Sequence, residues 1–355
     1  MLRRITIPLF LLCCLATGCK SVPLISRGGV PISISASRVP EAITEAETAL
    51  LEDRPMDALN WMRAASDVDG LSTNERERVQ SLTEKAADRL IAAEAHQGGD
   101  VDLLIDLLEM NLPRQTAVSA GMRAAELQVA DGELKDAYKT ILKVDKLYPT
   151  HHERATAARL LAELGIRLSY DEGGFLFFTN YRDDGIAALE YFVMHYPARP
   201  RGDEAYRRLA DMYEEDEKWA LAIERHEELI LEHPDSPLVP ESKALIPHLR
   251  MLAVTSPEYD RGAIVRARIE LRDWLRDHAG HEYEDFVRAD LADARRRLAE
   301  SDLGIARFYA TVDNSWGARH HAARALEEAR AAQDHKRIEE AQRILEAHGG
   351  GVAAR

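Results

Sequence analysis

A recurring spacing of small and apolar residues constrains the fold of this chain more than any other feature. Within the segment Asp203–Ser236, Ala210 and Ala222 lie 12 residues apart, Leu229 follows 7 residues later and Pro234 a further 5. Small side chains at the first two positions allow two antiparallel helices to approach closely, and proline ends the second helix because it cannot extend it. The segment therefore predicts a helix–turn–helix unit.

The same spacing recurs in one frame along the chain. Copies occur at Gly173, Gly185, Phe192 and Pro197; at Ala125, Ala137, Val144 and Pro149; at Ala46, Ala58, Ala65 and Gly70; and at Ala306, Ala318 and Ala325. The copy at Ala267, Trp274 and Ala279 keeps only its second half, and the copy ending at Pro113 fits poorly. This pattern resembles the tetratricopeptide repeat, a helical hairpin of about 34 residues. The ends of the units are 36 to 48 residues apart, which indicates an irregular array.

The chain as a whole reads as all-α. Apolar positions recur three and four residues apart, no convincing alternation of β-branched residues is present, and Ala, Leu, Glu and Arg dominate the composition. We therefore predict a tetratricopeptide-like helical-repeat solenoid, with N-terminal repeats over 41–165 and a second set over 166–348. Loops are expected near Gly98-Gly99, from Asp171 to Gly174 and from Pro234 to Pro240.

The N-terminus has the pattern of a signal peptide over residues 1–18. Arg3 and Arg4 precede the apolar run Ile5–Leu15, which is shorter than the roughly 20 residues that cross a bilayer. Small residues then lead to Cys19. This ending resembles the lipobox of bacterial lipoproteins, in which Cys19 would be acylated on sulfur and become the first residue of the mature chain; the alternative is ordinary cleavage.

Several features extend the lipoprotein hypothesis. The three cysteines are Cys13, Cys14 and Cys19, so no disulfide is possible within the mature chain. Lys20 stands where an Asp often retains such proteins at the inner membrane, which favours a lipid anchor in the outer membrane facing the periplasm. Residues 19–40 are typical of a lipidated tether, rich in Pro, Gly and Ser. The net charge of −15 argues against nucleic-acid binding.

The second half of the chain resembles one family more specifically. YRDDGIAALEYFVMHYPARP leads into a unit ending EHPDSPLVPES, and a long helical stretch follows with Asp302 to Tyr309 ahead of an aromatic-plus-small turn at Trp316, Gly317 and Ala318. These features, mainly over residues 166–331, are similar to the BamD family of lipoproteins. Its members belong to the machinery that inserts β-barrel proteins into bacterial outer membranes.

The resemblance implies partners and sites. A barrel-assembly protein and unfolded β-barrel clients would be the partners. Tyr170, Phe177 and Phe178 would take up an aromatic residue of a client peptide, with Arg207 near its carboxylate; the alternative is that the phenylalanines belong to the core. Where the family has a basic residue ahead of the turn, this chain has Asp313, so docking on the barrel-assembly protein would involve Asp313 and Trp316.

No sequence feature indicates catalysis, a cofactor or a metal site. The thirteen histidines include His151-His152 and His320-His321, but none has HExxH spacing, and we interpret both pairs as solvated surface. The acidic run Glu214–Glu217 falls at a predicted turn. A non-enzymatic protein-binding scaffold for outer-membrane barrel assembly is the leading hypothesis. The alternatives are a periplasmic repeat lipoprotein that organises cell-wall or secretion machinery, and an enzyme with an unrecognised hydrolytic site.

Overall fold

The computed structural model describes residues 33–94, 100–170, 181–254 and 260–349. All regular structure in these ranges is helical, which confirms the predicted fold class. A short 3₁₀ helix, Ala36–Arg38, precedes the α-helices. These are α1 (Val39–Leu51), α2 (Pro55–Ser66), α3 (Thr73–Glu94), α4 (Val101–Glu109), α5 (Arg114–Ala130), α6 (Leu134–Leu147), α7 (Arg154–Ser169), α8 (Tyr181–His195), α9 (Gly202–Glu215), α10 (Trp219–Glu232), α11 (Val239–Leu252), α12 (Arg261–Asp277), α13 (Glu284–Thr311), α14 (Ser315–Ala331) and α15 (His335–Ala347).

The chain divides into two compact units, and the boundary between them along the sequence falls within α5. Unit 1 comprises Met1–Ala120 and unit 2 comprises Gly121–Arg355. The domain boundary predicted between residues 165 and 166 lies inside α7, and the tether predicted to end at residue 40 gives way to α1 at Val39. Within the part of the chain that the structure describes, no helix combines the length and apolar character needed to cross a bilayer.

Unit 1 begins with three helices that pack on one another. α1 packs against α2, α2 against α3, and α1 also contacts α3. The predicted small positions Ala46, Ala58 and Ala65 are fully buried within this set. Gly70, at the predicted end of the unit, has a φ of +83° in the turn before α3. The first copy of the repeat frame is therefore confirmed as a helical hairpin.

Unit 2 is a series of helical hairpins. The pairs α7–α8, α9–α10, α11–α12 and α13–α14 pack internally, each hairpin also contacts the next one, and α15 packs on α13 and α14. We call α7, α9, α11 and α13 the first helices and their surface the first-helix face. α7 lies beside α9, and α11 lies beside α13.

The small and apolar positions of the predicted frame lie at the contacts between helices. The following positions in unit 2 are completely buried: Ala125, Ala137, Val144, Phe192, Ala210, Ala222, Leu229, Ala267, Ala306, Ala318 and Ala325. Gly173 lies outside the described residues. In that hairpin Gly185 instead meets the end of α7, where a Cβ on Gly185 would lie 2.6 Å from the Ser169 nitrogen.

Five tight turns between consecutive helices have the same backbone geometry. The second residue after the helix has a positive φ in each: Asp53, Gly132, Glu217, Asp313 and Gln333. The next residue donates its N–H to the carbonyl five residues earlier, at 2.8 to 2.9 Å, as in a Schellman motif. The turn predicted for the acidic run at Glu214–Glu217 is one of these. Only one of the five has the glycine that this conformation favours.

The predicted proline ends are also present. α6 ends just before Tyr148-Pro149 and α10 just before His233-Pro234. Tyr148 and His233 have nearly equal backbone angles, with φ of −137° and −131°. The loop expected from Pro234 begins there, and α11 starts at Val239. The loops expected at Gly98-Gly99 and from Asp171 to Gly174 lie outside the described residues.

A buried polar cluster joins α6 to the following hairpin. The Asp145 carboxylate accepts hydrogen bonds from His151 Nε2 at 2.8 Å, from Tyr191 Oη at 2.9 Å and from Tyr196 Oη at 2.7 Å. Asp145 and His151 are only 6% and 4% exposed. The interpretation of the His151-His152 pair as solvated surface was therefore wrong for His151, because its carboxylate partner removes it from solvent.

Candidate protein-binding surfaces

Arg207 lies on the first-helix face, where two carboxylates already hold it. It is on α9, and its Nε and Nη2 donate to Glu241 Oε1 of α11 at 3.1 and 2.8 Å. It also forms an ion pair with Asp211, one turn further along α9. A peptide carboxylate that binds Arg207 would therefore have to share the guanidinium with Glu241 and Asp211.

Glu241 extends this network to the start of α13. Tyr283 donates its hydroxyl hydrogen to Glu241. Burial opposes ionisation of Glu241, but the hydrogen bonds from Tyr283 and Arg207 outweigh it and lower the pKa of this carboxyl. Burial and the bond to Glu241 raise the pKa of Tyr283 to about 12. The first-helix face thus carries a fixed polar network between α9 and α13.

Tyr170 is exposed at the end of α7. Its side chain is 65% exposed, and the guanidinium carbon of Arg208 lies 3.9 Å from the centre of its ring. Arg208 is itself fixed, because it donates to the Ser169 carbonyl at 2.6 Å and to the Ser169 hydroxyl at 2.8 Å. The cation therefore holds one face of the phenol ring in place. Phe177 and Phe178, predicted to act with Tyr170, lie outside the described residues.

Trp316 and Asp313 lie at the turn between α13 and α14. Asp313 is the residue with positive φ, at 57°, and the Trp316 side chain is 75% exposed. The Asn314 side chain caps α14 by accepting from the Gly317 N–H at 3.0 Å. Gly317 lies against the Tyr309 ring, where a Cβ would come within 2.6 Å of it. Close packing of the hairpin thus fixes the position from which Trp316 projects.

Two further exposed apolar residues flank the same turn. Phe308 and Val312 are 61% and 54% exposed, and with Trp316 they form what we call the turn patch. Single exposed apolar residues are normal, but several large ones together mark interaction sites. Neither Phe308 nor Val312 was predicted from the sequence as a binding residue. The available signal was that Phe308 is two residues from the buried Ala306 and so faces away from the hairpin contact.

Aromatic and imidazole rings connect the turn patch to the interior. The Trp316 ring is stacked on His320 with centroids 5.2 Å apart, His320 contacts His321, and His321 is stacked on Tyr309 at 5.7 Å. His321 also bonds to the buried Asp302 at 2.9 Å, so the interpretation of this histidine pair as solvated surface holds only for His320.

The charge near the turn patch differs from that of the chain. Residues 315–324, the first turns of α14, contain two arginines and two histidines and no acidic residue, whereas the whole chain has a net charge of −15. Over the residues that the structure describes, no group of three or more histidine, cysteine or carboxylate side chains is placed to hold a metal ion.

Similarity to known proteins is found at the level of solved structures. No family model and no curated protein matches its sequence. Among solved structures, it is similar to a tetratricopeptide repeat protein from Parabacteroides merdae, with 14% identity, a TM-score of 0.26 and coverage of 87% of this chain and 99% of that one. It is also similar to the tetratricopeptide repeat domain of P58(IPK), with 14% identity, a TM-score of 0.24 and coverage of 88% and 80%.

Proposed function

We propose that this protein is a non-enzymatic lipoprotein scaffold that binds other proteins during assembly of β-barrel proteins into the outer membrane. The observation that carries the proposal is the turn patch, because Phe308, Val312 and Trp316 expose apolar surface at one end of the packed α13–α14 hairpin. Acylated Cys19 would hold the scaffold at the periplasmic side of the outer membrane. The role in β-barrel assembly is proposed from the resemblance of residues 166–331 to the BamD family.

The turn patch would dock the barrel-assembly protein. An exposed tryptophan with a fixed position is the kind of residue that dominates binding energy at an interface. Its substitution removes apolar contact without opening the core, since Trp316 contacts solvent over most of its surface. Asp313 would set the geometry of docking through the turn.

We expect Trp316→Ser to weaken capture of the barrel-assembly protein from detergent-solubilised membranes about 30-fold, the usual cost of losing an interface hot spot of about 2 kcal/mol. Titration of the purified partner on immobilised scaffold measures this. Leu231→Ser is the matched control, because Leu231 is 74% exposed on α10, away from the turn. Equal binding by both variants, or recovery of only cell-wall or secretion components, would contradict the proposal.

The first-helix face would receive the unfolded clients. Tyr170 offers an exposed ring face next to Arg208, and Arg207 offers a cation further along the same face. An aromatic residue at the end of a client peptide would stack on Tyr170, while its carboxylate would compete for Arg207.

We expect Tyr170→Ser to weaken binding of a labelled peptide with a carboxy-terminal phenylalanine about tenfold, measured by fluorescence anisotropy. The fold should persist, because the ring lies at the surface. Leu231→Ser again serves as the control. A peptide whose affinity is the same for wild type and Tyr170→Ser would exclude this residue from the client site.

A further inference from the structure

Four histidines of unit 2 contact carboxylates that lie between neighbouring helices. The pairs are His151–Asp145 at 2.8 Å, His226–Glu214 at 3.2 Å, His248–Asp290 at 2.9 Å and His321–Asp302 at 2.9 Å. They resemble one another in chemistry but differ in burial and in their other partners. These differences set the His248–Asp290 pair apart from the other three.

The other three pairs are more deeply buried or share their carboxylate with other cations. His151 and Asp145 are 4% and 6% exposed, and the His226 side chain is completely buried. Asp302, the partner of His321, also bonds to Arg261 at 2.5 Å and pairs with Arg324 at 3.7 Å.

His248 has the opposite surroundings. Its side chain is 28% exposed, and its Nδ1 bonds to Asp290, whose side chain is 14% exposed. No arginine or lysine forms an ion pair with Asp290 among the described residues. The Phe286 ring, with its centroid 5.1 Å away, covers part of the imidazole. Asp290 therefore bonds directly to an imidazole that water can still reach.

Charged groups on the neighbouring helices also surround His248. Glu214 of α9 and Asp290 of α13 favour the imidazolium, and Arg297 of α13 opposes it. The carboxylates that α10 and α12 place beside α11, Glu227 and Glu270, are both bonded by Arg250. The hydrogen bond to Asp290 raises the pKa of His248, and burial opposes this only partly.

This pair joins two successive first helices directly. His248 is on α11 and Asp290 is on α13, and the hairpin partner α12 lies between them in sequence. We propose that His248 and Asp290 form a proton-operated clamp, which holds α11 against α13 when the imidazole is protonated and loosens their contact when it is neutral. The clamp thereby sets the spacing of the first-helix face, whatever ligand that face binds.

The direction of the pH effect follows from the raised pKa. The folded state binds the proton more tightly than the unfolded state does, so the stabilisation is complete below the ordinary histidine pKa of 6.5. It is lost as the pH rises through the raised value. The His248–Asp290 contact should therefore stabilise unit 2 more at pH 6 than at pH 8.

The test is a histidine-selective NMR titration of the full chain, compared between wild type and Asp290→Asn. We expect the His248 midpoint to fall in Asp290→Asn, because the amide cannot neutralise the imidazolium. The exposed His320, whose ring stacks on Trp316, is the internal control and should not shift. An unchanged His248 midpoint would overturn the proposal.

A second measurement follows the helices themselves. Amide hydrogen exchange of α11 and α13, corrected for the intrinsic effect of pH, should be slower at pH 6 than at pH 8 in wild type and lose that difference in His248→Gln. A difference that persists in His248→Gln would show that another group operates the contact and would likewise overturn the assignment. The titration still decides the matter if His248→Gln does not fold.

Discussion

Replacing Asp145 with alanine should destabilise the protein by about 3 kcal/mol, measured as the free energy of unfolding in urea. The carboxylate accepts hydrogen bonds from His151, Tyr191 and Tyr196, and each buried donor left unpaired costs about 1–3 kcal/mol. Tyr191 is only partly buried, so water can replace its bond. The loss therefore comes mainly from His151 and Tyr196.

Asp136→Ala is the control for this prediction. Asp136 is also on α6, but it is exposed and pairs only with Lys139 at 2.7 Å, an arrangement worth less than about 1 kcal/mol. We expect its unfolding free energy to stay close to that of wild type. Similar losses for both variants would mean that the buried cluster is not a major source of stability.

Asp145 should also make the stability of the fold depend on pH. Burial opposes its ionisation, but the hydrogen bonds from His151, Tyr196 and Tyr191 outweigh burial and lower its pKa below the ordinary 3.8. A lowered pKa stabilises the fold at neutral pH, and this stabilisation disappears as the pH falls through the lowered value. The difference in stability between wild type and Asp145→Ala should therefore narrow in strong acid.

Gly185→Ala and Gly304→Ala should have opposite effects on stability. Both glycines lie inside helices, where alanine is intrinsically favoured by about 1 kcal/mol. At Gly185 the added Cβ would lie 2.6 Å from the backbone nitrogen of Ser169, which cannot move without displacing α7. A Cβ added at Gly304 would meet no described heavy atom within 4 Å beyond its chain neighbours and the adjacent backbone of its own helix.

We therefore expect Gly185→Ala to lower the free energy of unfolding by about 1–2 kcal/mol, because the cost of overpacking exceeds the gain in helix propensity. Gly304→Ala should raise it by about 0.5–1 kcal/mol. Thermal denaturation of the two variants beside wild type measures both signs in one experiment. A stabilising Gly185→Ala would show that α7 and α8 can separate at this point without cost.

The hairpins could be predicted because their contacts repeat at short sequence separations. Ala210 and Ala222 are 12 residues apart. Close packing of the two helices of a hairpin favours small residues at these positions, so most hairpins show the same spacing in the sequence. Gly173 lies outside the described residues, and the second small position of that copy, Gly185, contacts the end of α7 at Ser169.

The polar contacts between neighbouring hairpins of unit 2 could not be predicted from such a spacing. Tyr196 meets Asp145 across 51 residues, and Arg261 meets Asp302 across 41. Neither pairing follows from a local period, since it depends on how one hairpin lies on the next. The docking role that the family resemblance implies for Trp316 stays a prediction, although its side chain is exposed. The neighbouring Phe308 required knowing which side of α13 is buried.

The tight turns of the array have a consequence for the order of folding. Asp53, Glu217, Asp313 and Gln333 adopt a left-handed conformation that costs a residue with a side chain about 1 kcal/mol or more. An isolated chain would seldom visit that conformation, so these turns are poor starting points for structure. We therefore expect contacts between the paired helices, including their buried alanines, to form early in folding and the turns to close late.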